Sequence, residues 1–450
     1  MGNCCNKDKD DNNTQSVGAK SSLQIRRVPP QSQQVQETPT PQQKDTAQIK
    51  LVVNLAETVE NQDTYQDTEN TKRLSSGSAG SVGSRSSSSS RISANSRKNL
   101  SIQDFIIDRP LGKGAFGQVY LVTKKDNQKK YAMKTIKKID MVKLQLIEAT
   151  ILEKTILLKS SHPFIVQLKY CIQTEKKIYL IMEYIQGGEL FTLLKHCGQF
   201  TEKVAKFIIA EIILGIQYLH ETLKIIYRDI KPENILLTKT GHIKISDFGL
   251  SKEFQNKDEK TFTFAGTPEY LAPEVVLNKG HNKNVDLWGI GVFLYELVAG
   301  YPPFQDKNRN YDKISKQIIM NRPTYPENFS PNLKDLIKKL LNSDPQMRLG
   351  ANSFKDLKEH PFFYDIDWES LENLKVESPI KKFTSQEKPT KAAVRPRAIF
   401  ETPLQTNIQL PQILGMTYDQ DEVNEANKQN QAEDENELLK YKYDCNLNNN

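Results

Sequence analysis

The run Tyr227-Arg228-Asp229-Ile230-Lys231-Pro232-Glu233-Asn234, followed by Asp247-Phe248-Gly249, decides how this chain is read. Asp229 and Asn234 stand five positions apart, and a second aspartate opens the later triplet. Carboxylate and carboxamide oxygens are the hard ligands that Mg²⁺ takes. A carboxylate beside a lysine suits a hydroxyl nucleophile that loses its proton while a phosphoryl group is transferred. In that chemistry Asp229 accepts the proton, Lys231 neutralises charge on the moving group, and Asn234 and Asp247 hold metal. Each residue alone reads equally well as a solvated loop polar group; the ordered set does not.

Upstream lies Gly112-Lys113-Gly114-Ala115-Phe116-Gly117-Gln118-Val119. The G-x-G-x-x-G spacing is shared with dinucleotide sites, where a helix opens at the glycines. Here Gln118-Val119-Tyr120-Leu121-Val122 has the texture of a strand, so the loop is a flap between strands whose amides cover phosphates. That excludes a nucleotide-dependent oxidoreductase. Ala132-Met133-Lys134 ends the next strand, where a fixed positive charge at Lys134 offsets phosphate repulsion. Taken alone, Lys134 is one more surface lysine. A positioned lysine needs an acid, and Glu148 and Glu153 on the following helix both qualify.

Working outward, residues 1–100 are rich in Gln, Asn, Thr and Ser and are expected to form a disordered arm. Phe105 to Leu111, Gln118 to Thr123 and Lys130 to Ile136 read as strands, and Leu144 to Lys159 as one helix. Ile165 to Gln173 and Ile178 to Tyr184 read as a hairpin. Thr201 is placed to cap a core helix reaching His220. A strand-rich lobe is therefore followed by a helix-rich one. After Phe363 regular signals thin, and residues 421–450 form an acidic, Asn-rich tail expected to be disordered.

The bulk numbers agree. The chain has 450 residues, too many for one core, with only 37% hydrophobic residues. The net charge of +7 is too weak a signal for nucleic acid. Five cysteines, an odd count without metal-ligand spacing, fit a reduced intracellular compartment. No apolar run approaches a membrane span, and no signal-peptide core is present.

Over residues 105–363 these motifs resemble the eukaryotic protein kinases. The resemblance implies an α+β, two-lobed protein kinase fold, with an antiparallel-sheet N-lobe (105–185) and a mainly helical C-lobe (186–363). It implies ATP and Mg²⁺ as cofactors. Tyr227 in place of the usual His, with Gly266-Thr267-Pro268-Glu269-Tyr270-Leu271-Ala272-Pro273-Glu274, is similar to the AGC group, which includes the cAMP-dependent, protein kinase C and Akt-like kinases. Lys231-Pro232-Glu233-Asn234 is the form seen in Ser/Thr kinases. The spacing from Glu153 to His162-Pro163-Phe164 matches the family and selects Glu153 over Glu148. Gly112, Gly114, Gly117, Val119 and Ala132 would surround the nucleotide, with Met182 as gatekeeper and Glu183 and Ile185 bonding adenine through their backbones. Glu189 would meet the ribose or a substrate arginine.

Glu189, Glu233 and Glu296 match positions where basophilic relatives bind arginines, and Pro268 and Leu271 shape the pocket after the acceptor. Arginine pairs with carboxylates through a charge-assisted fork, so Arg-x-x-Ser/Thr substrates are expected. Thr263 matches the activation-loop phosphosite, with Arg228 and Lys252 as phosphate ligands and an upstream kinase as activator. Ala265 replaces a common Cys, a change expected to be silent. Glu274 and Arg348 match a family salt bridge, and Asp286 a residue bracing the catalytic loop.

Residues 364–420 resemble an AGC C-terminal extension, with a turn motif around Thr402 and a degenerate hydrophobic motif from Ile413 to Tyr418 that carries Thr417. Ile413 and Met416 stand where phenylalanines are usual, which leaves docking of that segment open. Gly2 fits N-myristoylation, although Asn6 departs from the usual Ser or Thr, and Cys4 and Cys5 beside it fit palmitoylation. Two chains anchor where one is marginal. The expectation is a kinase on the cytoplasmic face of a membrane, the plasma membrane above all, and in the cytoplasm. The alternative, a catalytically silent scaffold, would be favoured by loss of the lysine, the catalytic Asp or a metal ligand; none is lost.

Overall fold

Stretches in which Val, Ile and Tyr recur build the first half of the fold, because β-branched and aromatic side chains pack well on a pleated surface. The computed structural model describes residues 100–114, 117–256, 259–384, 412–413, 416–421 and 424. Gly2, Cys4, Cys5 and Thr402 lie outside the described residues, as do Ala115 and Phe116 at the tip of the glycine flap.

Strands β1 (Phe105–Gly114), β2 (Gly117–Lys124), β3 (Lys130–Lys137), β4 (Leu168–Gln173) and β5 (Lys177–Glu183) form an antiparallel sheet in the order β1-β2-β3-β5-β4. β1 is an edge, which is why Pro110, having no N–H to give, sits there beside two register shifts. On one face Phe105, Tyr131 and Tyr170 meet edge to face, with centroids 5.3–6.3 Å apart.

A short helix that the sequence reading did not name, α1 (Lys138–Lys143), precedes the helix expected over Leu144 to Lys159, which begins only at Ile147 as α2 (Ile147–Lys159). Gln145 lies at φ 55°, a left-handed conformation that no continuing helix accepts. Helix α3 spans Leu190–Cys197, and α4 runs Glu202–Tyr218 before ending in a π-turn at Leu219–Leu223. Thr201 caps α4 by accepting the Val204 amide.

The helical half rests on two buried helices, α4 and, beyond the short α5 (Pro273–Val276), α6 (Asn284–Ala299). Both are apolar nearly all round and form the middle of the core rather than its surface. Three small strand pairs complete the scaffold. β6 (Ile225–Ile226) pairs with β9 (Lys252–Glu253), and β7 (Ile235–Leu237) with β8 (Ile243–Ile245). β10 (Tyr418–Asp419) joins β4, making the large sheet six-stranded. Helices α7 (Tyr311–Met320) and α8 (Pro331–Leu340) lie further along the chain.

Contrary to the thinning of signals after Phe363, helices continue at Trp368–Glu372 and Lys381–Thr384. Asp367 caps the first through the Ser370 amide. Ser378 binds the segment back to the β7–β8 turn by donating to the Gly241 carbonyl at 2.7 Å.

Candidate active site

The hairpin β7–β8 carries the metal-type ligands, because Asn234 enters it and Asp247 leaves it. It is pinned from below by the buried Glu211 of α4, whose carboxylate lies 2.6 Å from His242 Nδ1 and accepts the Ile243 amide at 2.8 Å. The loop before it is held by Asp286, which is 1% exposed on α6. Its two oxygens accept the amides of Tyr227 and Arg228 at 2.8 and 2.7 Å, and His220 lies 2.7 Å away. These bonds keep Arg228 at φ 70°, a costly conformation for a residue with a side chain. The bracing expected of Asp286 is therefore present.

Asp229 sits at the centre, only 6% exposed. It accepts Asn234 Nδ2 at 2.7 Å, the Thr267 hydroxyl at 3.0 Å and Lys231 Nζ at 2.9 Å. Asn234 Nδ2 also donates to the Asp229 carbonyl at 2.9 Å, so the amide hydrogens are engaged and the carbonyl end is left as the acceptor. Tyr227 donates to the Ser246 carbonyl at 2.5 Å and meets Phe248 edge to face at 5.4 Å. A neutral phenol thus clamps the segment that carries Asp247.

Asp247, at φ 54°, meets Lys134 across the cleft. Lys134 Nζ lies 2.7 Å from Glu153 Oε1 and 2.9 Å from Asp247 Oδ1. Burial on its own would strip the ammonium of its proton; the Asp247 and Glu153 carboxylates outweigh it and raise the pKa. Burial lifts the Glu153 pKa despite the lysine, whereas at Asp247 the lysine outweighs burial and lowers it. Glu153 is thus the partner, in agreement with the choice made over Glu148.

Above this pair β1 and β2 meet at Gly114 and Gly117, and Val119 is the register partner of Lys134. A Cβ at Gly117 would lie 2.2 Å from the Thr135 carbonyl, whereas one at Gly112 meets nothing within 4 Å. Ala132 pairs with Met182 across β3–β5. At the end of β5 the Glu183 amide is given to the Gln167 carbonyl at 3.1 Å.

Further acids gather on the C-lobe side. Glu296 has its carboxyl pushed up to about 8 by burial and then by Glu233 and Glu269, and it accepts the Tyr270 hydroxyl. The Glu233 carboxyl is also raised, chiefly by burial. Sequence reasoning named Glu233 and Glu296 but missed Glu269, although it sits in the quoted Pro268-Glu269-Tyr270 run between Thr267 and Leu271. Glu189 is the extended residue that precedes α3, and its backbone bridges to Leu236.

Stability should record this crowding. Between the ordinary glutamate pKa and about 8 the folded protein keeps a proton on Glu296 that the unfolded chain has lost, so stability falls as pH rises through that window. Glu296→Gln is expected to leave the melting temperature nearly unchanged at pH 5 and to raise it by about 5 °C above pH 8. Calorimetry across pH checks this, and an equal effect at both ends would remove the repulsion as its cause.

The switch residues are less assembled. Thr263 is exposed, and among the described residues no hydrogen bond joins it to Arg228 or Lys252. Arg228 donates instead to the Leu250 and Ser251 carbonyls at 2.6 and 3.4 Å, with one guanidinium nitrogen unpartnered. Lys252 is exposed on β9. Glu274 and Arg348 do form the expected buried pair, bidentate at 2.7 and 2.6 Å.

Comparison with known proteins follows the same lines. A family model for the protein kinase domain matches residues 105–363. The chain is 44% identical over 287 residues to serine/threonine-protein kinase gad8 of Schizosaccharomyces pombe, covering 64% of this chain and 50% of that protein. It is 46% identical over 281 residues to cAMP-dependent protein kinase type 3 of Saccharomyces cerevisiae, covering 62% and 69%. With Protein kinase 3 of Dictyostelium discoideum it shares 45% over 296 residues, covering 64% and 32%. The chain thus spans half or less of the length of two of these three relatives. With more than half of its own length inside the family match, the chain belongs to the protein kinase domain family, and the relatives it resembles are AGC-type serine/threonine kinases.

Proposed function

We propose that this protein transfers the γ-phosphoryl group of ATP to serine and threonine hydroxyls that follow arginines in protein substrates. One observation carries the reading: Asp229, Lys231, Asn234 and Asp247 converge beside the intact Lys134–Glu153 pair. The relatives named above as serine/threonine and cAMP-dependent kinases support it.

The residues present fit ATP and Mg²⁺. Open space at Gly112 leaves room for phosphates beneath the flap, and Lys134 keeps a positive charge there. Asn234 and Asp247 would hold Mg²⁺, which takes its remaining oxygens from phosphate and water. When bound, the metal would neutralise charge on the phosphate oxygens. Asp229 takes the substrate hydroxyl proton as the new P–O bond forms and the bond to ADP breaks. Lys231, already bonded to both Asp229 and Thr267, supplies positive charge beside the transferring group. The Glu233–Glu269–Glu296 cluster supports the arginine preference, since a guanidinium would relieve its repulsion.

Activation follows from Thr263. A phosphate there adds about −2 charge, and the unpartnered Arg228 nitrogen and exposed Lys252 are cations that would take it. Dual acylation at Gly2 with Cys4 or Cys5 would tether the protein to the cytoplasmic face of a membrane.

The test is transfer from ATP to an Arg-x-x-Ser peptide with Mg²⁺, wild type beside Asp247→Ala, before and after Thr263 phosphorylation. Transfer should rise with the phosphate and vanish in the variant. Absence of transfer in every state, with ATP still bound, would turn the reading to a silent scaffold. A Gly2→Ala protein that fractionates with membranes as wild type does would end the tether.

A further inference from the structure

Two segments far apart in sequence meet at the outer edge of the large sheet. Tyr418 pairs with Cys171 and Asp419 with Tyr170, so β10 covers β4. Before it, Ile413 and Met416 are buried in the main apolar core, 7% and 1% exposed. The Gln173 side chain reads the Ile413 backbone both ways, donating to its carbonyl at 2.7 Å and accepting its amide at 3.1 Å. Apolar burial and one amide clamp therefore seat Ile413, and apolar burial seats Met416.

Beyond β10 the contact changes character. Asp421 Oδ2 accepts the Tyr170 hydroxyl at 2.7 Å and Lys124 Nζ at 3.2 Å. Lys124 is an unusual cation for this position: its side chain is only 6% exposed, and its Nζ stands 5.0 Å above the Tyr170 ring. Asp126 is its other anion, at 2.5 Å. A buried ammonium with three donors has room for a second carboxylate, and among the described residues the other partner of the Tyr170 hydroxyl is Tyr131, at a long 3.4 Å. Thr417, lying between the two anchored stretches, is itself exposed.

We propose that Lys124 and Tyr170 form an acid-reading subsite whose occupant is Asp421 of the same chain, and that this contact holds the C-terminal strand on β4 without a phosphate on Thr417. The carboxylate is a built-in anion at the far end of the segment, where a modification would otherwise be needed to bring one.

Amide hydrogen exchange in the full-length, phosphatase-treated protein tests this. Asp421→Asn removes the charge at an exposed position and leaves the core intact. It should speed exchange of the amides of residues 168–173 and 416–421 by about tenfold, the loss of one ion pair and one charged hydrogen bond. Thr417→Ala should leave those amides as in wild type. Lys124→Met, which removes the other partner, should match Asp421→Asn, and the double variant should add nothing further. Unchanged exchange in Asp421→Asn would overturn the proposal, as would release of the strand by Thr417→Ala to the same degree. The outcome is independent of whether the protein phosphorylates any peptide, so it stands or falls apart from the functional reading.

Discussion

Asp229→Asn is expected to lower kcat for peptide phosphorylation by about 10²–10⁴-fold while leaving ATP affinity and the melting temperature close to wild type. The size follows from what the carboxylate does. Asp229 is held by Asn234, Thr267 and Lys231, at 2.7 to 3.0 Å, in a pocket that leaves it 6% exposed. An amide in its place keeps most of that shape yet has no basic oxygen for the hydroxyl proton. Lys134 and Asp247, proposed to hold the nucleotide and its metal, pair with each other across the cleft, so ATP binding is expected to be spared. Single-turnover transfer beside nucleotide titration separates the two effects. A loss under about tenfold would mean that positioning alone carries the rate and that Asp229 is not the base.

Arg348→Ala is expected to cost about 3–5 kcal/mol of stability, lowering the melting temperature by about 10 °C. The guanidinium is 2% exposed and spends its donors on Glu274, the Asn284 carbonyl and the Asn342 carbonyl. It also lies 5.3 Å from the Trp288 ring centre. Truncation leaves Glu274, 6% exposed, as a buried anion with no cation. Arg348→Ala with Glu274→Gln should recover part of the loss, because the stranded charge goes with it. Denaturant titration of the single and double variants decides this, and a double variant no better than the single would assign the cost to lost packing instead.

How far the sequence was legible depends on how local each signal is. The Asp229–Asn234 loop, Asp247 and the glycine flap are set by a few neighbouring residues, and they stand where their spacing implied. Glu153 needed a match to a distant motif, since Glu148 has the same chemistry five residues earlier on the same helix. Glu269 went unnamed because a surface glutamate between Pro268 and Tyr270 has no local mark; only the fold brings it to Glu296. The break at Gln145 was invisible because apolar residues continue through it. Docking of Ile413 was open for a similar reason: Gln173, whose side chain holds its backbone, lies 240 residues away. The Thr263 contacts with Arg228 and Lys252 rest on a charge that the unmodified threonine does not carry.

Two of the three glycines of the flap, Gly112 and Gly117, differ in what would resist a side chain. At position 117 the chain itself forbids a side chain, because the Thr135 carbonyl occupies the place of its Cβ. At position 112 nothing in the protein objects. An alanine there would be invisible to every assay of folding and would be felt only by whatever comes to lie under the flap. Position 117 therefore records the history of the fold, and position 112 that of its guest.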